Sequence, residues 1–230
     1  MTQQTHLTMD TIATQAMENL VNQFARPMDF LRELAQNSMD AGTPRIDIIL
    51  EYEAGDPKGV LSIHVVDYGD GMDEQIIDKQ LTRLFSSNKE NDLTKIGKFG
   101  IGFTSIFAIK PEAVLLHTGR HGEYWELLFH ADRSYEKRPL TEPVSGTKIT
   151  LFKRFDEDEA KAFVAEARFV LTYWCEHSEI PIYFEDKTQN QRDARADTDM
   201  ADPFAAFSGG ERDVGAERVD CPLAMPEADL

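Results

Sequence analysis

The stretch FLRELAQNSMDAG, Phe30 to Gly42, constrains the fold most tightly, because its residues separate onto two arcs of a helix. At about 100° per residue, Leu31, Leu34, Ala35 and Ser38 fall on one side and Glu33, Asn37 and Asp40 on the other. The first arc needs an apolar surface to cover. The second is what a solvated amphipathic helix commonly shows, and equally what a row of functional side chains looks like. Gly42 and Pro44 end the helix by the usual C-terminal signals.

The surface for the apolar arc follows at once. RIDIILEY, Arg45 to Tyr52, alternates Ile46, Ile48 and Leu50 to one side; AGDPKG makes a turn, and VLSIHVVD places Leu61, Ile63 and Val65 on a shared face. Together they predict a β-hairpin. Thr11 to Phe24 predicts a helix ahead of the opening one, and Pro27 is tolerated near that helix's first turn. Glu74 to Phe85 predicts a short helix, SSNKENDLT a mobile loop, and Gly97 to Ile109 a glycine-led apolar helix. EAVLLHT, GEYWELLFH and GTKITLF predict three strands, Asp156 to His177 a long amphipathic helix, and IPIYF a last strand. The domain is thus read as 1–185. Residues 186–230 are read as an acidic linker or tail, with PFAAF and CPLAM as its apolar segments.

Composition narrows the function classes. The 230 residues carry 24 basic and 41 acidic side chains, a net charge of −17, which argues against nucleic acid or an anionic membrane as partner. A polyanionic ligand would have to be held by backbone amides, helix dipoles and a metal ion. Cys175 and Cys221 form no CxxC pair, so neither a zinc site nor a disulfide framework is indicated and a reducing cytoplasm is the expected compartment. No apolar run reaches the roughly 20 residues of a membrane span, and none resembles a secretory leader.

Three further motifs follow the helix. Asp67-Tyr68-Gly69-Asp70-Gly71 is a DxGxG at a strand end; a carboxylate emerging there must find donors if it is buried, and an adenine amino group is one. Alone it also reads as a plain turn. Gly97-Lys98-Phe99-Gly100-Ile101-Gly102 is a GxxGxG opening a helix, where exposed amides suit a phosphate, although a hinge would look similar. It is neither the GxGxxG of a dinucleotide fold nor a P-loop. Gly146-Thr147 opens the strand GTKITLF and by itself says little beyond β propensity.

In order these read ExxxNxxDAG, DxGxG, GxxGxG and GT, and over roughly residues 10 to 185 the chain resembles the GHKL ATPases of the gyrase, heat-shock chaperone, histidine kinase and MutL type. It is most similar to the nucleotide domain of the ninety-kilodalton heat-shock chaperone, in MENLVNQFARPMDFLRELAQNSMDA, IGKFGIGFTSIFAI, GTKITLF and EHSEIPIYF. DAGTPRIDI also resembles MutL. Histidine kinases fit less well, lacking the acidic residue that Glu33 supplies. The resemblance implies the Bergerat fold, an α+β two-layer sandwich: a mixed, mostly antiparallel sheet covered on one face by helices, with ATP between the layers.

It also implies roles. Asn37 would help hold Mg²⁺ and Glu33 would act as general base on water. Asp67, supported by Thr147, would accept from the adenine amino group, while Asp40, Ala41, Gly69, Gly71 and Met72 line the base side. Gly97, Lys98, Phe99, Gly100, Ile101, Gly102 and Phe103 would cradle the phosphates, and residues 72–96 would form a lid. The expected protein is a slow Mg²⁺-dependent ATPase that binds ATP and ADP and couples lid closure to conformational change or homodimerisation, acting on a protein client or an adjoining effector domain. The alternatives are a nucleotide-gated regulatory module with little intrinsic hydrolysis and a DNA-repair or topoisomerase-type ATPase. Chaperone and MutL relatives reach the γ-phosphate from a following domain, and with the chain ending at Leu230 hydrolysis is expected to be slow or completed by a partner.

Overall fold

The computed structural model describes residues 26–82, 102–175, 178, 180–187 and 217–218. Helix α1, Asp29–Asp40, is the amphipathic helix of the sequence reading, and Phe30, Leu31, Leu34, Ala35 and Ser38 on it are all buried. The hairpin follows as β1, Ile46–Glu53, and β2, Gly59–Asp67, paired antiparallel with Ile46 opposite Asp67. α2, Glu74–Ile76, is capped by the Asp73 carboxylate, which accepts from the Ile76 amide at 2.9 Å, and runs into a π-helical turn over Ile77–Leu81. The predicted helix at Thr11–Phe24, the loop SSNKENDLT and the glycines from Gly97 to Gly100 lie outside the described residues.

After a helical turn over 102–104, a 3₁₀ segment covers Ser105–Ile109. β3, Ala113–Arg120, β4, Glu123–His130, and β6, Gly146–Phe155, match the three predicted strands, and α3, Glu157–Cys175, matches the long helix. β5, Tyr135–Pro139, was not predicted: its sequence, YEKRP, lies half-exposed at a sheet edge and carries no apolar alternation. β7, Ile182–Asp186, is the last predicted strand. Within the stretch read as a tail, β8, Glu217–Arg218, pairs with β7.

These strands form one sheet in the order β5-β4-β3-β6-β2-β1-β7-β8. All neighbours are antiparallel except β1 and β7, so the sheet is mixed and mostly antiparallel, as expected. Its covered face is one continuous core. Ile48, Leu50, Leu61, Ile63, Val114, Leu116, Leu127, Phe129, Leu151 and Phe184 meet Phe30, Leu31 and Leu34 of α1, Phe103, Ile106 and Phe107, and Ala160, Val164, Ala167 and Leu171 of α3. Burying each such side chain contributes roughly 1.5 to 3 kcal/mol. The opposite face is threaded by polar pairs: His64 Nδ1 stands 3.0 Å from Thr150 Oγ1, and His117 Nε2 stands 2.7 Å from Glu126.

Glu51 ties this second face together. Its carboxyl is lowered from the ordinary 4.5 to about 2, chiefly by the His64 ring and further by Lys187, against the opposing effect of burial. The ring nitrogen lies at 3.6 Å and the Lys187 ammonium at 3.1 Å. A depressed carboxyl stabilises the fold above its unfolded value and loses that contribution as pH falls through the folded one. Urea titrations of Glu51→Gln should therefore show a shallower loss of stability than the parent between pH 4.5 and about 2.

Candidate active site

Leu61, Ile63, Val65 and Asp67 occupy alternate positions of β2, so the strand that builds the core also delivers a carboxylate to its covered face. Asp67 is only 7% exposed. Burial raises its pKa above the ordinary range, and hydrogen bonds to the charged form partly oppose this. Oδ1 accepts from the amides of Gly69 at 3.0 Å and Thr147 at 3.1 Å, and Oδ2 accepts from Ser38 Oγ at 3.1 Å. An ionised carboxylate has about four acceptor positions. Among the described residues, these three bonds leave the remaining one on Oδ2.

Sheet register explains why these groups meet. Asp67 of β2 sits directly opposite Thr147 of β6, and Thr147 opposite Thr118 of β3. The loop after β2 is held close by glycines. Gly71 has φ +65° and a side chain there would collide with the Gly119 carbonyl, while Gly146, at φ +71°, lies against the Asp67 carbonyl. The Asp70 amide donates to the Ala41 carbonyl at 2.9 Å and the Met72 amide to Thr118 Oγ1 at 2.9 Å, which fasten the loop to α1 and to β3. A surface groove lined by Asp70, Arg120, His121 and Tyr124 backs this loop from outside, and Asp67 does not line it.

A second cluster lies farther back along α1. Glu33 and Asn37 are half-buried, one turn apart, and Gly102 at the start of the following helical turn comes directly over them. A Cβ on Gly102 would lie 3.0 Å from Glu33 Oε2 and 3.8 Å from the Asn37 amide group. The structure thus brings Gly102, the last glycine of the third motif, against the polar arc of α1, in a close approach that a side chain would crowd. Glu33 Oε1 accepts from Arg32, at 2.7 Å from one guanidinium nitrogen and 3.2 Å from another, and its other oxygen faces Gly102.

The remaining sequence-read residues fall in four groups. Ala41, Gly69, Gly71, Met72 and Thr147 surround Asp67 through the contacts above. Phe103 is buried and packs on Phe129 at a ring separation of 5.3 Å. Asp40 is exposed and accepts from Gln36 Nε2 at 2.8 Å along the helix surface, an ordinary i, i+4 pair. Gly97, Lys98, Phe99, Gly100 and Ile101 lie outside the described residues. Sequence reasoning missed Ser38 as a polar contributor, because helical spacing places it on the core arc, where it is indeed buried. It also missed Thr118, for which a β-strand sequence carries no signal.

Residues 27–160, a span holding all of these groups, match the family of histidine kinase-, DNA gyrase B- and HSP90-like ATPases. The chain belongs to that family. Similar relatives include the chaperone protein HtpG of Nitrosomonas europaea, 25% identical over 253 residues, covering 94% of this chain and 38% of that protein. HtpG of Pectobacterium atrosepticum is 28% identical over 226 residues, covering 85% of this chain and 33% of its own length. HtpG of Helicobacter hepaticus is 28% identical over 224 residues, with coverages of 80% and 35%. The chain therefore spans little more than a third of the length of these relatives. Membership in this ATPase family supports ATP as a ligand. Among the described residues, no helix is long and apolar enough to cross a membrane.

The glycine at the loop end is open to a direct check. Gly71→Ala adds a Cβ to a left-handed backbone and against a carbonyl oxygen, so it should destabilise the domain by more than about 1 kcal/mol in urea unfolding.

Proposed function

We propose that this domain binds ATP with Mg²⁺ in the cleft between α1 and the β2-β6-β3 end of the sheet and hydrolyses it slowly, as the ATPase domain of a heat-shock-chaperone-like GHKL protein. The observation that carries the reading is the buried Asp67 carboxylate, whose three protein donors leave one acceptor position for a ligand amino group. An exocyclic amine on adenine supplies that donor. The half-buried Met72 and the close backbone at Gly69 and Gly71 suit a flat base beside it.

The phosphates then extend along α1 toward Asn37, Glu33 and Gly102. The donor set there fits Mg²⁺: Asn37 offers a single neutral oxygen, with the Glu33 carboxylate one turn away. An ion that takes one or two protein oxygens and completes its shell with waters and phosphates needs no more. When bound, Mg²⁺ neutralises phosphate charge and orients the terminal phosphoryl group. Glu33, one turn from Asn37, accepts a proton from the attacking water through Oε2.

A second reading, a nucleotide-gated module with little intrinsic turnover, draws on one observation. Arg32 holds Glu33 Oε1 with two hydrogen bonds, which engage that oxygen away from an attacking water. In either case nucleotide-dependent dimerisation and action on a protein client or an adjoining effector domain are part of the proposal, because named HtpG relatives are chaperones. The net charge of −17 disfavours a DNA-directed role.

Calorimetry provides the test. Asp67→Asn should weaken ATP binding by roughly 1.5 to 3 kcal/mol, the range for hydrogen bonds to a charged group. A donor ligand favours the ionised form of Asp67, whose pKa is raised, so affinity in the parent should increase as pH rises through that titration and fall below it. Asp67→Asn should remove this dependence. Glu33→Ala should bind ATP nearly as the parent does and release no phosphate in a turnover assay; equal loss of binding in both variants would show that Glu33 is not the base.

A further inference from the structure

Among the described residues, two large apolar side chains on α3 stand well out into solvent: Phe169 at 73% exposure and Tyr173 at 61%. Single exposed apolar residues are ordinary, but these two lie one turn apart on one arc of the helix. At about 100° per residue the exposed Ala162 and Ala165 fall on that arc as well. Together they form an apolar strip opposite the side that Val164, Ala167 and Leu171 bury against the sheet.

Sheet register shows which part of the chain passes beside this strip. The Arg168 guanidinium lies over the Phe184 ring at 4.8 Å, so this part of α3 sits level with the middle of β7. β8 is antiparallel to β7, with Glu217 opposite Phe184 and Arg218 opposite Tyr183. The chain leaving β8 is therefore directed toward Ile182, the start of β7, which is the end that α3 leads into from Cys175. That direction follows the last two turns of α3, where Phe169 and Tyr173 are.

The sequence after Arg218 is Val219-Asp220-Cys221-Pro222-Leu223-Ala224-Met225, outside the described residues. Pro222 biases the residue before it toward extended backbone, and in an extended segment Leu223 and Met225 share a side, about 7 Å apart. Phe169 and Tyr173 are separated by about 6 Å along the helix axis. The roughly 16 Å of extended chain between Arg218 and Leu223 exceeds the thickness of a helix, about 10 to 12 Å. We propose that residues 221–225 dock on the Phe169–Tyr173 strip, with Leu223 and Met225 against the two rings, so that the segment after β8 straps α3 to the sheet edge. A tethered segment meets the strip at an effective concentration on the order of millimolar, which favours it over a second copy in dilute solution. The inference is independent of the nucleotide reading.

Cross-linking within the full chain tests it. The two cysteines are Cys175 and Cys221, and Thr172 is exposed next to both rings. In a chain carrying Thr172→Cys and Cys175→Ser, a short bis-maleimide should join position 172 to Cys221 within one molecule, located by mass spectrometry. Glu157→Cys in place of Thr172→Cys, roughly 22 Å away along the helix, should give no such product. Adding Phe169→Ser or Leu223→Ser should slow the reaction between positions 172 and 221 by about tenfold, the lower end of what burying such a side chain contributes.

A rate that ignores both substitutions would show that β8 pairing alone brings Cys221 near, and overturns the docking. Products found only between molecules assign the strip to a second copy and overturn it too, as does the absence of any product joining positions 172 and 221. If the cysteine variant fails to fold, the parent's own Cys175 and Cys221, joined by the same reagent and slowed by Leu223→Ser, decide the matter in the same way.

Discussion

The structure depends on how a carboxylate is kept at the end of an apolar strand. Asp67 continues the row of Leu61, Ile63 and Val65 onto the covered face, where a charge without donors costs several kcal/mol. Three donors from three segments answer that cost: Ser38 from α1, Gly69 from the loop after β2 and Thr147 from β6. Each has a geometric precondition. α1 must lie with its Ser38 side on the sheet, the loop must turn sharply back, and β6 must pair with β2 in the register that sets Thr147 opposite Asp67. One polar residue thereby couples a helix, a turn and a sheet.

The same coupling accounts for the glycines. Backbone approaches backbone at Gly71 and Gly146, where side chains would displace the loop from its donors, and at Gly119, which lies against the Val144 carbonyl. At the other end of α1, Gly102 leaves the space above Glu33 and Asn37 open. A chain with net charge −17 has no broad cationic surface to attract a nucleotide. The proposed means of holding one are therefore local, with the buried Asp67 acceptor at their centre.

Much of this was legible beforehand. Helical spacing on FLRELAQNSMDAG separated the buried arc from Glu33 and Asn37, because burial repeats with the helix period. The β1–β2 hairpin was equally plain from alternation either side of AGDPKG. β5 was not, since a half-exposed edge strand has no face that must be apolar. Asp40 shares an arc with Glu33 and Asn37, yet in the fold it is exposed and bonded to Gln36, since angular position says nothing about how far along the axis a neighbouring element reaches.

By itself, then, the sequence determined most of the elements and the covered face of each, which follow from period within short windows, whereas the roles expected of Glu33, Asn37 and Asp67 came from the order of the motifs and the family they resemble. Tertiary structure alone decided that Ser38, 29 positions before Asp67, would be its donor, and that Thr118 and Thr147, 29 positions apart, would stand within hydrogen-bond distance. It also decided the parallel pairing of β1 with β7 beside otherwise antiparallel neighbours. These are partnerships between distant segments, created by strand order and register, and neither is encoded in the local pattern of any one segment.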